Sequence, residues 1–118
     1  MTSHLTGHDF LLNWARSENS GPSVGNMAPH FHESEPRPVN EYHAQKVREM
    51  YQKLPWHEQM ILQAEYSNRQ RLFGDASAKE RRPAAIRWIG QITGVWLNDT
   101  QYKLYLGLFR NEVERRLA

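Results

Sequence analysis

The chain has 118 residues, enough for one small domain with an appendage. It contains no cysteine, which excludes a disulfide framework and thiolate zinc sites and fits a reducing cytoplasm. No apolar run approaches the roughly 20 residues of a membrane span, and the first residues lack the pattern of a signal peptide. We therefore expect a cytoplasmic protein without a membrane segment.

The net charge of +2 is unevenly distributed along the chain. Residues 1–65 contain five Lys or Arg and eight Asp or Glu, whereas residues 66–118 contain ten and five. A basic half on a nearly neutral chain is typical of proteins that bind polyanions. The alternative is a basic surface that is merely solvated.

Residues 1–40 are predicted to form a short helix followed by a flexible linker. Asp9 is a candidate N-cap, and Phe10 and Trp14 belong to the apolar side of this helix. From Ser17 onward Gly, Pro, Ser and Asn replace the helical pattern, which indicates a linker. Residues 41–118 then form the main helical domain.

Helical periodicity in the main domain predicts four helices, at about 41–54, 56–71, 84–93 and 99–116. Asn40 is a candidate N-cap of the first of these helices, and Asn98, Asp99 and Thr100 are candidate N-caps of the last. Pro83 suits the first turn of the third helix. Residues 72–82 are predicted to be a loop, and Gly94 to provide the turn before the last helix. We therefore predict an all-α fold, a small bundle of about four helices whose last two resemble a helix-turn-helix.

The last helix has two predicted faces. The apolar side, which Leu104 and Leu108 widen, consists of Tyr102, Tyr105, Leu106, Phe109, Val113 and Leu117. The opposite side presents Lys103, Gly107, Arg110 and Glu114, and Thr100 and Asn111 flank it. Cations, amide and hydroxyl groups and a glycine are suited to the major groove of DNA.

Three arginines near the start of the third helix are candidate phosphate contacts. Arg81 and Arg82 are predicted to clamp the DNA backbone, and Arg87 to lie on the DNA face. The predicted DNA-binding residues are Arg81, Arg82, Arg87, Thr100, Lys103, Arg110 and Asn111. The alternative is that these arginines are only solvated.

Short motifs in the chain resemble two related families. Residues 54–66, LPWHEQMILQAEY, resemble the helix "LP-x-x-E-x-x-x-L-x-x-x-Y" of sigma-factor region 4. Residues 94–95, 98–100 and 113–117 resemble the turn and recognition helix of that family. Residues 12–17, LNWARS, are similar to the opening of small Q-like antitermination proteins of bacteriophages. The resemblance implies a phage regulator of late transcription that engages double-stranded DNA and the RNA polymerase of a bacterial host.

Other kinds of site have weaker signals. His30 and His32 are spaced as metal ligands on an extended segment, but only adjacent carboxylates are available to complete the site. No nucleophile–base pair or phosphate-binding glycine loop is present, so we expect neither an enzyme nor a cofactor. The main rival to DNA binding is a helical protein–protein interaction module that uses an exposed apolar patch of Tyr102, Tyr105, Trp96 and Trp56.

Overall fold

The structure, a computed structural model, describes residues 5–20 and 39–118. Every regular element in these two stretches is helical, which confirms the predicted all-α fold. In chain order the α-helices are α1 (Gly7–Ser20), α2 (Glu41–Gln52), α3 (Trp56–Leu62), α4 (Arg69–Phe73), α5 (Ala78–Thr93) and α6 (Asp99–Leu117). Most of the predicted linker, with His30 and His32, lies outside the described residues.

Three predicted helix boundaries are confirmed. The side chain of Asn40 accepts a hydrogen bond from the backbone N–H of His43 at 3.0 Å and caps α2. Asn98 caps α6 reciprocally, because its side chain accepts from Gln101 N–H while the Gln101 side chain accepts from Asn98 N–H. Gly94 ends α5 with φ at +80°, a conformation that glycine adopts without steric cost.

The predicted start of the third helix at Ala84 is wrong, because α5 begins at Ala78. Ser77 and Glu80 form a capping box: the Ser77 hydroxyl accepts from Glu80 N–H, and the Glu80 carboxylate accepts from Ser77 N–H. This cap places Pro83 inside the helix rather than in its first turn. The charged residues before Pro83 are therefore helical and do not form a loop.

The N-terminal helix is longer than predicted. The sequence predicts a linker from Ser17, whereas α1 continues to Ser20. Glu18 stabilises this extension, since its carboxylate accepts from the Trp14 indole N–H at 3.1 Å and from Arg48 at 2.7 Å. The last turn of α1 is thereby fastened to α2.

The helix predicted over residues 56–71 is interrupted by the π-helical turn Gln63–Ser67. The backbone N–H of Asn68 donates to the carbonyl of Gln63 at 2.9 Å, five residues earlier. Such a turn holds one more residue than an α-helical turn and redirects the side chains that follow it. The chain resumes as α4 after Asn68.

The core joins α1 to the main domain. Phe10, Leu11 and Trp14 are each at most 2% exposed, and α1 packs against α2, the π-helical turn and α6. Their main-domain partners in the core include Val47, Met60, Ile61, Leu62, Ala85, Ile89, Tyr102, Leu106, Phe109 and Val113. Burial of such a side chain contributes about 1.5–3 kcal/mol. The three apolar side chains of α1 therefore make it part of the same core.

Close approach at Gly7 sets how α1 meets α6. The backbone N–H of Gly7 donates to the Glu114 carboxylate at 2.9 Å. A Cβ atom at position 7 would lie 2.1 Å from the carbonyl oxygen of Arg110, a backbone atom that cannot move aside alone. Only glycine permits this contact without displacement of α1.

Gly7→Ala is expected to lower the free energy of unfolding by about 1–3 kcal/mol, the usual cost of overpacking. Gly107→Ala is the matched control, because nothing lies within 4 Å of a Cβ atom at that position of α6. The control should raise stability by about 0.5–1 kcal/mol through helix propensity. Urea denaturation followed by circular dichroism measures both, and effects of the same sign would contradict the close contact at Gly7.

Candidate nucleic-acid interface

A cleft of about 270 Å³ lies between the start of α5, the π-helical turn and α6. We call it the basic cleft; its lining residues are Glu65, Ala78, Arg81, Arg82, Tyr102, Lys103, Leu106 and Arg110. Four of the seven predicted DNA-binding residues are thus brought together from two helices. The four cations have different environments, and these decide what each can do.

Arg81 forms the interior of the basic cleft. Its side chain is 7% exposed and donates to Glu65 Oε1 at 2.9 Å and to the carbonyl of Ala76 at 3.2 Å. The other oxygen of Glu65 accepts from the Tyr102 hydroxyl at 2.7 Å. Burial and the adjacent Glu65 carboxylate raise the pKa of Tyr102 far above its usual range, which keeps its hydroxyl a donor. Arg81 was predicted as a backbone clamp, but its guanidinium is already engaged inside the protein.

Arg82 and Lys103 converge at the mouth of the basic cleft. Arg82 contacts one Asp99 oxygen at 3.1 Å, and Lys103 Nζ lies 3.4 Å from the other. Desolvation acts against the charged form of Asp99, but hydrogen bonds and charge from Lys103 and Arg82 hold its pKa below the usual value. Two cations share one carboxylate, so a net positive charge remains at this solvent-accessible position.

Arg110 is half-buried at the other end of the basic cleft. Its Nε donates to the Tyr66 hydroxyl at 2.8 Å, and its guanidinium carbon lies 5.7 Å from the centre of the Tyr66 ring. The same hydroxyl lies 2.7 Å from Nδ1 of His8 on α1. Burial raises the pKa of Tyr66, whereas the hydrogen bond and charge of Arg110 oppose that rise. Tyr66 thus holds Arg110 in a defined position.

The other three predicted residues do not line the basic cleft. Thr100 is exposed on the first turn of α6, about 60° around the helix from Lys103. Asn111 is exposed about 100° from Arg110 around α6. Arg87 is exposed on α5 but about 140° from Arg82, so it points away from the cleft.

Sequence reasoning missed the acceptors that position the cations. Glu65 and Tyr66 are adjacent in the π-helical turn, and they bind groups on α5 and α6. The motif that ends at Tyr66 could have drawn attention to these residues, but no pattern of apolar residues predicts a π-helical turn. Asp99 was considered only as a helix cap.

The outer face of α6 is partly apolar. Leu104 and Leu108, predicted to widen the buried side, are each 54% exposed. Trp96, at the turn between α5 and α6, is 62% exposed. Its ring lies so close to Gly90 that a Cβ atom at position 90 would be 2.2 Å from it. Ile92, on the last turn of α5, is also exposed, whereas Tyr102 of the predicted apolar patch is buried. On α6 itself, the exposed Leu104 and Leu108 thus lie on a different side of the helix from Lys103.

Some kinds of site are absent from the described part of the chain. Within residues 5–20 and 39–118 no group of three His, Asp or Glu side chains could hold a metal ion. No helix in the same residues is long and apolar enough to cross a membrane. His30 and His32, the candidate metal ligands of the sequence, lie outside these ranges.

Glu65→Gln is expected to lower the free energy of unfolding by about 3–5 kcal/mol, because it leaves the Arg81 charge buried without a counter-charge. Glu112→Gln is the control: that carboxylate accepts from Arg115 and Arg116 on the exposed end of α6, and its loss should change stability little. Chemical denaturation of the two variants measures the difference. Comparable effects would mean that the Glu65–Arg81 pair is not a stabilising part of the fold.

Comparison with models of protein families, with curated proteins and with solved structures found no match for this chain. The resemblance to sigma-factor region 4 and to antitermination proteins therefore stays a prediction from short motifs. Conclusions about function depend on the geometry and charge of the basic cleft.

Proposed function

We propose that this protein is a DNA-binding transcription regulator that holds backbone phosphates of duplex DNA at the mouth of the basic cleft. The observation that carries the proposal is the convergence of Arg82 and Lys103 on the single carboxylate of Asp99. A phosphate at this position would take over ion pairs that are exposed and therefore weak. Phosphate contacts of this kind fix the position of a protein on DNA.

The first turn of α6 supports the same role. Backbone N–H groups at the start of a long helix, together with the helix dipole, favour an anion beside them. Lys103 lies one turn into α6, and Thr100 is exposed between this lysine and the helix start. The hydroxyl of Thr100 is the group we assign to a base edge, while the cations bind phosphates.

The biological setting of the proposal comes from the sequence resemblance. Sigma-factor region 4 and phage antitermination proteins act on promoter-proximal DNA together with RNA polymerase. By that resemblance we assign the protein to the control of late phage transcription in the cytoplasm of a bacterial host. The bacterial RNA polymerase is then its second partner.

The double substitution Arg82→Ala/Lys103→Ala should weaken binding to duplex DNA by at least about tenfold at low salt and reduce the slope of log K against log salt by about two. Fluorescence anisotropy of a labelled duplex across a salt series measures both quantities. Arg115→Ala/Arg116→Ala is the matched control, because it removes the same charge from the exposed C-terminal turn of α6. Equal losses in the two variants would show that only net charge matters and would refute the cleft as the contact site.

A protein–protein interaction module is the second candidate function. The observation that favours it is the exposure of Leu104 and Leu108, one turn apart on α6. Neighbouring apolar side chains on one helix face are typical anchors for a protein groove. An apolar contact of this kind would be much less sensitive to salt than phosphate binding.

Leu104→Ser/Leu108→Ser should abolish capture of a protein partner from nuclease-treated bacterial lysate if this face is an interface. Leu12→Ser, which changes an exposed leucine on α1, is the control and should retain the partner. DNA affinity of the double variant should remain at the wild-type value. Retention of the same partner by the double variant would eliminate this face as the protein interface.

A further inference from the structure

The Tyr66 hydroxyl connects Arg110 to a second group of basic side chains. It accepts from Arg110 Nε at 2.8 Å and lies 2.7 Å from His8 Nδ1. The rings of His8 and Tyr66 are also in contact, with centroids 5.5 Å apart. The exposed imidazole of His8 therefore sits beside Arg110, at the edge of the basic cleft.

Charged groups face His8 from several elements. Arg110 approaches from α6 and Arg69 from α4, and both act on the imidazole electrostatically. Asp9, on α1 itself, acts in the opposite direction, and its carboxylate also accepts from Thr6. On α6, Glu114 accepts from the N–H of the preceding residue, Gly7. The surroundings of His8 thus combine two arginines from other helices with a carboxylate on its own helix.

We infer that His8 and Arg69 extend the phosphate contacts of the basic cleft past Arg110, and that His8 binds a DNA backbone phosphate in its protonated form. This inference rests on the DNA-binding function proposed above. It adds α1 and α4 to an interface that sequence reasoning confined to the last two helices. The ligand is the same phosphate backbone that Arg82 and Lys103 contact.

Hydrogen bonding at Tyr66 is compatible with both protonation states of His8. With Nδ1 unprotonated, the Tyr66 hydroxyl donates to His8 while it accepts from Arg110. With His8 protonated, Nδ1–H donates to the Tyr66 oxygen, and the hydroxyl hydrogen is released for a phosphate oxygen. Protonation therefore adds both a positive charge and a donor at this position.

Proton uptake should then accompany DNA binding. In the free protein, partial desolvation first, and then the charge of Arg110 and of Arg69, lower the pKa of His8 below 6.5, so the imidazole is mainly neutral at pH 7. A phosphate beside His8 favours the imidazolium and raises that pKa. Affinity should therefore rise as the pH falls through the interval between the bound and free pKa values, by at most about tenfold per pH unit for one proton.

The test compares the affinity of the full chain for a labelled duplex between about pH 5.5 and pH 8, the range in which histidine titrates. In His8→Gln the affinity should no longer rise as the pH falls, as it does in wild type. His57→Gln is the control: this histidine lies on α3 against Tyr105, and its loss should leave the pH dependence unchanged. Arg69→Ala should weaken binding at every pH and move the pKa of His8 in the free protein toward 6.5. Circular dichroism melting confirms that each variant is folded.

Two results separate the inference from the function on which it rests. DNA binding by wild type with the same pH dependence in His8→Gln would overturn the role of His8 and leave the proposed function intact. No binding of wild type at low salt and any pH would overturn both.

A third experiment tests the inference in the wild-type protein, without any substitution. The His8 imidazole signals followed by NMR should titrate at higher pH when duplex DNA is present, and an unchanged titration would overturn the inference.

Discussion

The carboxylate of Glu65 ties the π-helical turn to both C-terminal helices. One of its oxygens accepts from Arg81 on α5, and the other accepts from Tyr102 on α6. A carboxylate removed from water is stable only where donors replace the lost hydration. Because the two donors belong to different helices, neither helix can move away from the π-helical turn without leaving a polar group unpaired. The buried Glu65 carboxylate therefore fixes the positions of α5 and α6 on either side of the basic cleft.

This arrangement divides the cations of the cleft by their solvent exposure. Arg81 has a structural role, because an external phosphate would have to replace the buried, hydrogen-bonded carboxylate of Glu65. Arg82 and Lys103 are paired with Asp99 at the surface, where water screens the ion pairs and exchange for a phosphate costs little. The difference explains why a run of basic residues in the sequence cannot be taken as a uniform binding surface.

The sequence predicted those features of the fold that depend on local chemistry. Asn40 and Asn98 cap helices as expected, because an N-cap requires only a suitable side chain within one turn. The prediction from sequence failed where tertiary contacts decide the environment of a side chain. Arg81 is buried because Glu65, 16 residues earlier in the chain, lies opposite it in space. The π-helical turn that brings Glu65 there has no hydrophobic period of its own. Seven residues were predicted to share one surface, but only Arg81, Arg82, Lys103 and Arg110 line the basic cleft, and their individual environments were not predicted.

The two sides of α6 make the two proposed functions, DNA binding and protein binding, compatible. Lys103 faces the basic cleft, while Leu104 points about 100° away around the helix and is exposed. A regulator that acts on DNA together with RNA polymerase requires one surface for phosphates and another for protein. Phosphate binding by Arg82 and Lys103 would leave the leucines uncovered, since the intervening helix backbone separates the two sides. One helix can therefore present both surfaces at the same time, and loss of one contact need not remove the other.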